Sequence, residues 1–195
     1  MRLNRLQMTN FRQHLATPPI EFDSGLTGII GPNGSGKSTI LEAIAWALYG
    51  MPAVQKLRTS GTRESIRSIR APARSGVEVD LDFDLGGHRY RVVRGLTKAE
   101  LYLDGAESPI ANTITGVTEL LRRRLGMSLE EFFNTYFTGQ KDLSVMKAMG
   151  PVDRAQFLSR VLGYERLRDA QELGRQRRRV IIAEIDGVHR VMPNA

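Results

Sequence analysis

The run Gly31-Pro32-Asn33-Gly34-Ser35-Gly36-Lys37-Ser38 constrains this chain more than any other segment of it. It fits G-x-x-x-x-G-K-[ST], a spacing in which every fixed residue has a physical job. Glycines let the backbone turn tightly and bring its N–H groups against one polyphosphate. Lys37 sets a point charge beside the outer phosphates. Ser38 offers a hydroxyl, a hard oxygen ligand for Mg²⁺. A helix that follows adds its unpaired N–H groups and the positive end of its dipole. Such a loop needs a strand before it and a helix after it.

Both flanks have the expected character. Leu26 to Ile30 closes on the apolar run Gly28-Ile29-Ile30, which reads as the end of a buried strand. Ile40, Leu41, Ile44, Ala45 and Leu48 fall on one face of a helix, and Gly50 supplies its stop. Trp46 lies on that helix between two alanines and reads as packing rather than as a platform for a base.

With 195 residues the chain makes one domain, or one lobe with an extension. It has no cysteine, which excludes disulfides and thiolate metal sites, and its three scattered histidines argue against zinc. The net charge of +7 favours an anionic partner, although solubility alone accounts for part of it. No stretch reaches the length of a membrane span, and Met1-Arg2-Leu3-Asn4-Arg5 lacks the apolar core of a signal peptide. A cytosolic protein with no membrane partner is the simplest expectation.

Along the chain, Leu3, Leu6, Met8, Ile20 and Phe22 mark two strands punctuated by Pro18-Pro19 and Asp23-Ser24-Gly25. Residues 51–76 are poor in apolar side chains and read as a surface loop. Val77 to Leu85 alternates strictly between apolar and acidic residues, the pattern of a half-buried strand. Gly86-Gly87 turns it into a second strand, and Leu101-Tyr102-Leu103 before Asp104-Gly105 suggests a further hairpin. The block predicts an antiparallel sheet with one polar face.

From residue 115 the periodicity becomes helical. Val117, Leu120, Leu121 and Leu125 predict a helix ending at Gly126, and Ser128 with Glu131 forms a capping box before Phe132-Phe133. Phe157, Leu158, Val161 and Leu162 predict another helix, starting near Pro151. Beyond Gly163 the chain is Arg-rich, with Leu167, Ala170, Leu173, Ile181, Ile185 and Val188 spaced by three or four. That segment reads as a solvated helix and as the first turns of a coiled coil.

Two further elements accompany the P-loop: Asn10-Phe11-Arg12-Gln13-His14 before it, and Tyr136-Phe137-Thr138-Gly139-Gln140-Lys141-Asp142-Leu143 after it. This layout resembles the N-terminal lobe of the SbcC family of SMC-like DNA-repair ATPases, called Rad-fifty in eukaryotes and archaea. The resemblance runs from residue 1 to about residue 185. It implies an α/β P-loop NTPase fold: an ABC-type ATPase head N-terminal lobe with an antiparallel β subdomain and the start of a coiled-coil helix. It divides the chain into a lobe, residues 1–162, and an Arg-rich helix, residues 163–195.

The resemblance also assigns roles. Arg12 would reach the nucleotide. Asn33, Gly34, Ser35, Gly36, Lys37, Ser38 and Thr39 would cradle the phosphates of ATP. Ser38 and Gln140 would hold Mg²⁺, with Gln140 sensing the γ phosphate and Lys37 neutralising charge during hydrolysis. Arg58, Thr59 and Ser60 would return to the site on the adenine side. Implied partners are the C-terminal lobe of the same head, a second head in a homodimer, an SbcD-type nuclease and double-stranded DNA. The implied setting is a bacterial-type, nucleoid-associated cytoplasmic ATPase of double-strand-break repair and recombination.

Three departures stand beside that picture. Lys141 follows Gln140 where many members have glycine. Thr59-Ser60-Gly61-Thr62 and Leu158-Ser159-Arg160-Val161 each lack the paired glycines of a Leu-Ser-Gly-Gly signature. Val180 to Asp186 mimics an apolar strand ending in acids, but it follows Arg177-Arg178-Arg179 and no adjacent Asp-Glu pair closes it. Two other readings therefore stay open: a transporter-type ATPase subunit, and a non-hydrolysing module that binds nucleotide or DNA.

Overall fold

The computed structural model describes residues 1–57, 62–136, 150–152, 154–155 and 164–191. They fall into two compact units, Met1–Leu129 and Glu130–Ala195, each described by itself.

The first unit is built on an antiparallel sheet in the order β2-β1-β4-β5-β6, with β3 also pairing β1. Its strands are β1 (Arg2–Phe11), β2 (His14–Ala16), β3 (Ile20–Glu21), β4 (Glu78–Leu85), β5 (His88–Gly95) and β6 (Ala99–Leu103). The register explains the alternation in the sequence. Leu6 faces Leu81, which faces Val92, which faces Leu101, so one face is a continuous apolar sheet. All four side chains are fully buried. Phe83 and Tyr90 stack across β4 and β5 with ring centroids 5.4 Å apart. The chain reverses at Asp104-Gly105, and Ala111 bridges back to Leu101 as the expected further hairpin.

Helices cover the apolar face. They are α1 (Lys37–Tyr49), α2 (Met51–Leu57), α3 (Arg63–Ile66) and α4 (Ile114–Leu125). α1 lies against β1, β4 and β5, and α4 lies against α1 and β6. The sequence pattern predicts one apolar face on α1, but nearly every residue from Thr39 to Tyr49 is buried and Leu41 is half-exposed. A helix enclosed by a sheet on one side and helices on others loses its polar face. Trp46 packs on Phe11 at 5.3 Å, as expected of a core side chain. Gly50 ends α1 with φ 70°, and its N–H donates to the Trp46 carbonyl. Gly126 ends α4 at φ 68°, in the left-handed helical region.

Two expectations are corrected. Residues 26–30 form no strand, and Leu26 and Ile30 are almost fully exposed. A strand is completed by neighbours, and no strand among the described residues lies beside this run. Residues 51–76 are not one loop, since α2 and α3 lie within them and bury Ala53, Val54 and Ile66 completely. Thr62 caps α3 by accepting from the Ser65 N–H.

Arg94, on the apolar face of β5, is 1 % exposed. Its Nε donates to the Ala47 carbonyl in the last turn of α1 at 2.8 Å, and Nη2 donates to Thr118 of α4 at 3.1 Å. Burial pushes its pKa down to about 10, and the negative end of the helix dipole faces the charge. The opposite face of the sheet is polar. Asp80 accepts both arms of Arg91 at 2.9 Å and one arm of Arg5 at 3.0 Å. Burial first, then the neighbouring Asp80, pushes the Asp82 carboxyl above its usual range.

In the second unit, α5 (Leu129–Thr135) begins directly after Ser128, and Phe132 meets Phe133 edge-on at 5.8 Å. Pro151 and Val152 are helical, while the helix expected over Phe157 to Leu162 lies outside the described residues. α6 (Tyr164–Val191) is one 28-residue helix. It includes Val180 to Asp186, so the strand-like reading of that run does not hold. The continuous apolar run Val180 to Ala183 lies inside a helix on which Leu173, Val180, Ile181, Ile185 and Val188 are all exposed. No described helix is long and apolar enough to cross a membrane.

Two measurements check this architecture. Arg94→Met keeps the bulk but strands the Ala47 carbonyl, and should cost about 2 kcal/mol in urea unfolding. Asp82→Asn should raise the unfolding temperature at pH 7. The folded carboxyl holds its proton more tightly than the unfolded one, so ionisation of Asp82 costs stability at neutral pH. The gain should shrink as the pH falls towards about 3, where both states are protonated.

Candidate phosphate-binding site

The P-loop leads from the exposed run 26–30 into α1. Gly34 has φ 82° and Gly36 φ 91°, backbone that other residues adopt only under strain. Gly36 is the N-cap of α1, and its carbonyl accepts from Thr39 at 2.9 Å and Ile40 at 3.3 Å. A Cβ on Gly31 would fall 2.8 Å from Ser35 Oγ, so the loop closes tightly on itself.

No side chain caps the N-terminus of α1, and its first turn holds no acidic residue. Its first N–H groups and its dipole are therefore left for an anion. Lys37 crosses the loop: Nζ donates to the Gly31 carbonyl at 2.7 Å and the Pro32 carbonyl at 2.8 Å. Asn33, Gly34, Ser35 and Ser38 are exposed, and Thr39 is buried below them. Ser38, the second residue of the helix, presents a hydroxyl where a hard cation beside a phosphate would need oxygen. This cradle of N–H groups, one ammonium and one hydroxyl fits Mg²⁺-ATP in charge and donor type.

The turn after β1 reaches the same helix. Asn10 (φ 52°) and Arg12 (φ 53°) are both left-handed, a conformation held by neighbours. Those neighbours are backbone bonds to the connection before β4: Arg12 N–H to the Ile66 carbonyl at 2.7 Å, and Ser68 N–H to the Asn10 carbonyl at 2.8 Å. The Arg12 guanidinium donates to Glu42 of α1 and to the Ser65 carbonyl. The Arg12 side chain is 9 % exposed and that of Glu42 4 %. Arg12 thus couples the turn to the P-loop helix. Gln13 and His14 lie over Gly36.

Of the residues that the sequence nominates, Asn33 through Thr39 form the loop and the start of α1, whereas Arg12 pairs with Glu42 farther along that helix. Arg58, Thr59, Ser60 and Gln140 lie outside the described residues. Sequence reasoning missed Glu42, although a lone carboxylate inside Ile40-Leu41-Glu42-Ala43-Ile44 is a readable signal of a buried partner. No group of three or more His, Cys, Asp or Glu among the described residues is placed to hold a metal ion. A cation here would share oxygens with the nucleotide and would not need such a group.

Glu42→Leu strands the Arg12 charge and should cost about 3–5 kcal/mol of unfolding free energy. Adding Arg12→Leu should recover part of that loss, which a urea-unfolding cycle over the four proteins measures.

Comparison with known proteins follows the same lines. The family model described as an AAA domain, AAA_23, matches residues 5–181. The DNA double-strand break repair Rad50 ATPase of Methanocaldococcus jannaschii is 31 % identical over 169 residues, covering 85 % of this chain and 16 % of that protein. The Rad50 ATPase of Archaeoglobus fulgidus is 38 % identical over 123 residues, covering 63 % of this chain and 12 % of its own length. A structure from "Structural biochemistry of ATP-driven dimerization and DNA stimulated activation of SMC ATPases" matches with a TM-score of 0.57 at 22 % identity. That match covers 83 % of this chain and 99 % of the other and establishes the fold. The chain spans less than a fifth of the length of these curated relatives. It belongs to the AAA_23 family, with the fold of an SMC-type head lobe and similarity to Rad50 ATPases over most of its length.

Proposed function

We propose that this chain is the ATP-binding lobe of an ATPase head that works with a nuclease in DNA double-strand-break repair and recombination. The observation that carries this reading is the open N-terminus of α1 beneath a lysine parked on loop carbonyls. Phosphate oxygens are stronger acceptors than the Gly31 and Pro32 carbonyls, so Lys37 transfers to the nucleotide when it binds. The N–H groups of the loop and of the first turn hold the β and γ phosphates in one orientation. Ser38 donates an oxygen to Mg²⁺, which supplies charge neutralisation between the phosphates when bound. Gln140 is assigned to the same metal shell, and Arg58, Thr59 and Ser60 to the adenine side, by family resemblance. Arg12 orders the helix from behind through Glu42.

Hydrolysis needs an acidic strand end and a signature segment, and we assign both to partner elements. The C-terminal lobe of the head would lay a strand beside residues 26–30, where apolar side chains stand exposed. A second head would close the phosphate side in a homodimer. Arg175, Arg177, Arg178 and Arg179 are exposed on α6 and suit DNA phosphates, while the apolar residues of that helix suit a coiled-coil partner. An SbcD-type nuclease is assigned to the base of that arm. A cytoplasmic, nucleoid-associated setting follows from that work.

Calorimetric titration tests the site. The chain should bind Mg²⁺-ATP weakly, and Lys37→Ala should lower the affinity by about tenfold or more. Equal binding by the two proteins removes the reading. Steady-state assays should find little turnover by the lobe alone. Robust turnover that disappears in Lys37→Ala would instead place complete catalysis within this chain.

A further inference from the structure

The turn after β1 presents two nitrogen-bearing side chains near the P-loop. Arg12 gives its Nη atoms to Glu42 and the Ser65 carbonyl, and its Nε is buried with no hydrogen-bond partner among the described residues. The Nε2 of His14 is likewise buried and unpartnered. The ring lies against Gly36, the left-handed residue from which α1 starts. A Cβ built on Gly36 would fall 2.7 Å from His14 Nε2, 3.1 Å from its Cε1 and 3.0 Å from Gln13 Oε1. The imidazole edge therefore rests on the residue whose neighbours, Ser35 and Lys37, form the cradle.

Buried ring nitrogens are nearly always paired, so an orphan asks what completes it. Three features of its setting favour an anionic acceptor. The helix end beside it is uncapped and carries no acidic side chain. Lys37 adds a positive charge one residue away in sequence from Gly36. A neutral imidazole protonated on Nε2 is a donor, and oxygen carrying negative charge is its strongest acceptor.

We propose that His14 is a phosphate-contacting residue of this site, donating from Nε2 to a phosphate oxygen of the bound nucleotide. The proposal rests on the nucleotide reading above and deepens it. It adds the imidazole to Arg12, two residues earlier, as a contact contributed by the Asn10–His14 turn. Gly36 then has a double requirement: a left-handed backbone, and no side chain between the ring and the phosphates.

The test titrates the 195-residue chain with Mg²⁺-ATP, alongside Lys37→Ala, His14→Ala and His14→Gln. His14→Ala should weaken binding about tenfold, the loss of one hydrogen bond to a charged group. His14→Gln sets an amide N–H near the Nε2 position and should bind within about threefold of the unaltered chain. The ¹⁵N resonance of His14 Nε2 should shift on adding ATP and show a through-hydrogen-bond coupling to phosphorus, which a histidine merely near the site would not show. If Lys37→Ala abolishes binding while His14→Ala binds like the unaltered chain, or the Nε2 resonance stays fixed at saturation, the inference is overturned and the nucleotide reading survives. If Lys37→Ala binds as well as the unaltered chain, both fall. Should His14→Ala not fold, the glutamine variant and the resonance decide.

Discussion

The structure depends on α1 being held inside the fold while its N-terminus stays open. Apolar packing buries α1 on nearly all sides, but such contacts are less directional than hydrogen bonds. Two arginines supply the missing direction. Arg12 grips α1 from the turn after β1, through Glu42. Arg94 grips its last turn from β5, through the Ala47 carbonyl, and ties α4 to the same point through Thr118. Both side chains are desolvated and both bonds are directional, so a shift of α1 by even one residue would leave a buried charge without a partner. The position of the P-loop relative to the sheet is therefore set by charge pairing behind it.

Much of this was legible from local pattern. The alternation from Val79 to Phe83 and its reversal at Gly86-Gly87 are period-two signals that depend on one buried face, and the register confirms them. Gly50 and Gly126 announce helix ends because left-handed backbone favours glycine whatever surrounds it. The P-loop is legible for the same reason, since its geometry is carried by glycines within eight residues. What stayed hidden involves partners distant in sequence. The apolar run around Glu42 signals burial, but its partner cannot be read until Arg12, thirty residues earlier, is brought onto it. Residues 51–76 read as a loop because Ala53, Val54 and Ile66 are too few and too irregular to show a period. Residues 26–30 read as a strand because the sequence records preference, whereas a strand also needs a neighbour. For Arg58 to Ser60 and Gln140, the assignment still rests on resemblance.

The polar face of the sheet follows a different logic. Asp80 lies between Arg5 on β1 and Arg91 on β5, so the central strand is acidic and its neighbours are basic. Such a ladder cancels its own field over a few ångströms. The positive charge of the chain is thereby left to act elsewhere, and the exposed arginines of α6 carry a share of it.

The uncovered run from Leu26 to Ile30 has a consequence for how the molecule behaves during synthesis. Apolar side chains beside unpaired backbone form a template for any extended segment that arrives, and the template does not distinguish its proper complement from a second copy of itself. The outcome is then a race. With the second lobe proposed above as that complement, low concentration favours its arrival first. At high concentration self-association arrives first, and the product is aggregate. On the proposed reading, the same five residues that lead into the phosphate cradle make the yield of assembled protein depend on the timing of assembly.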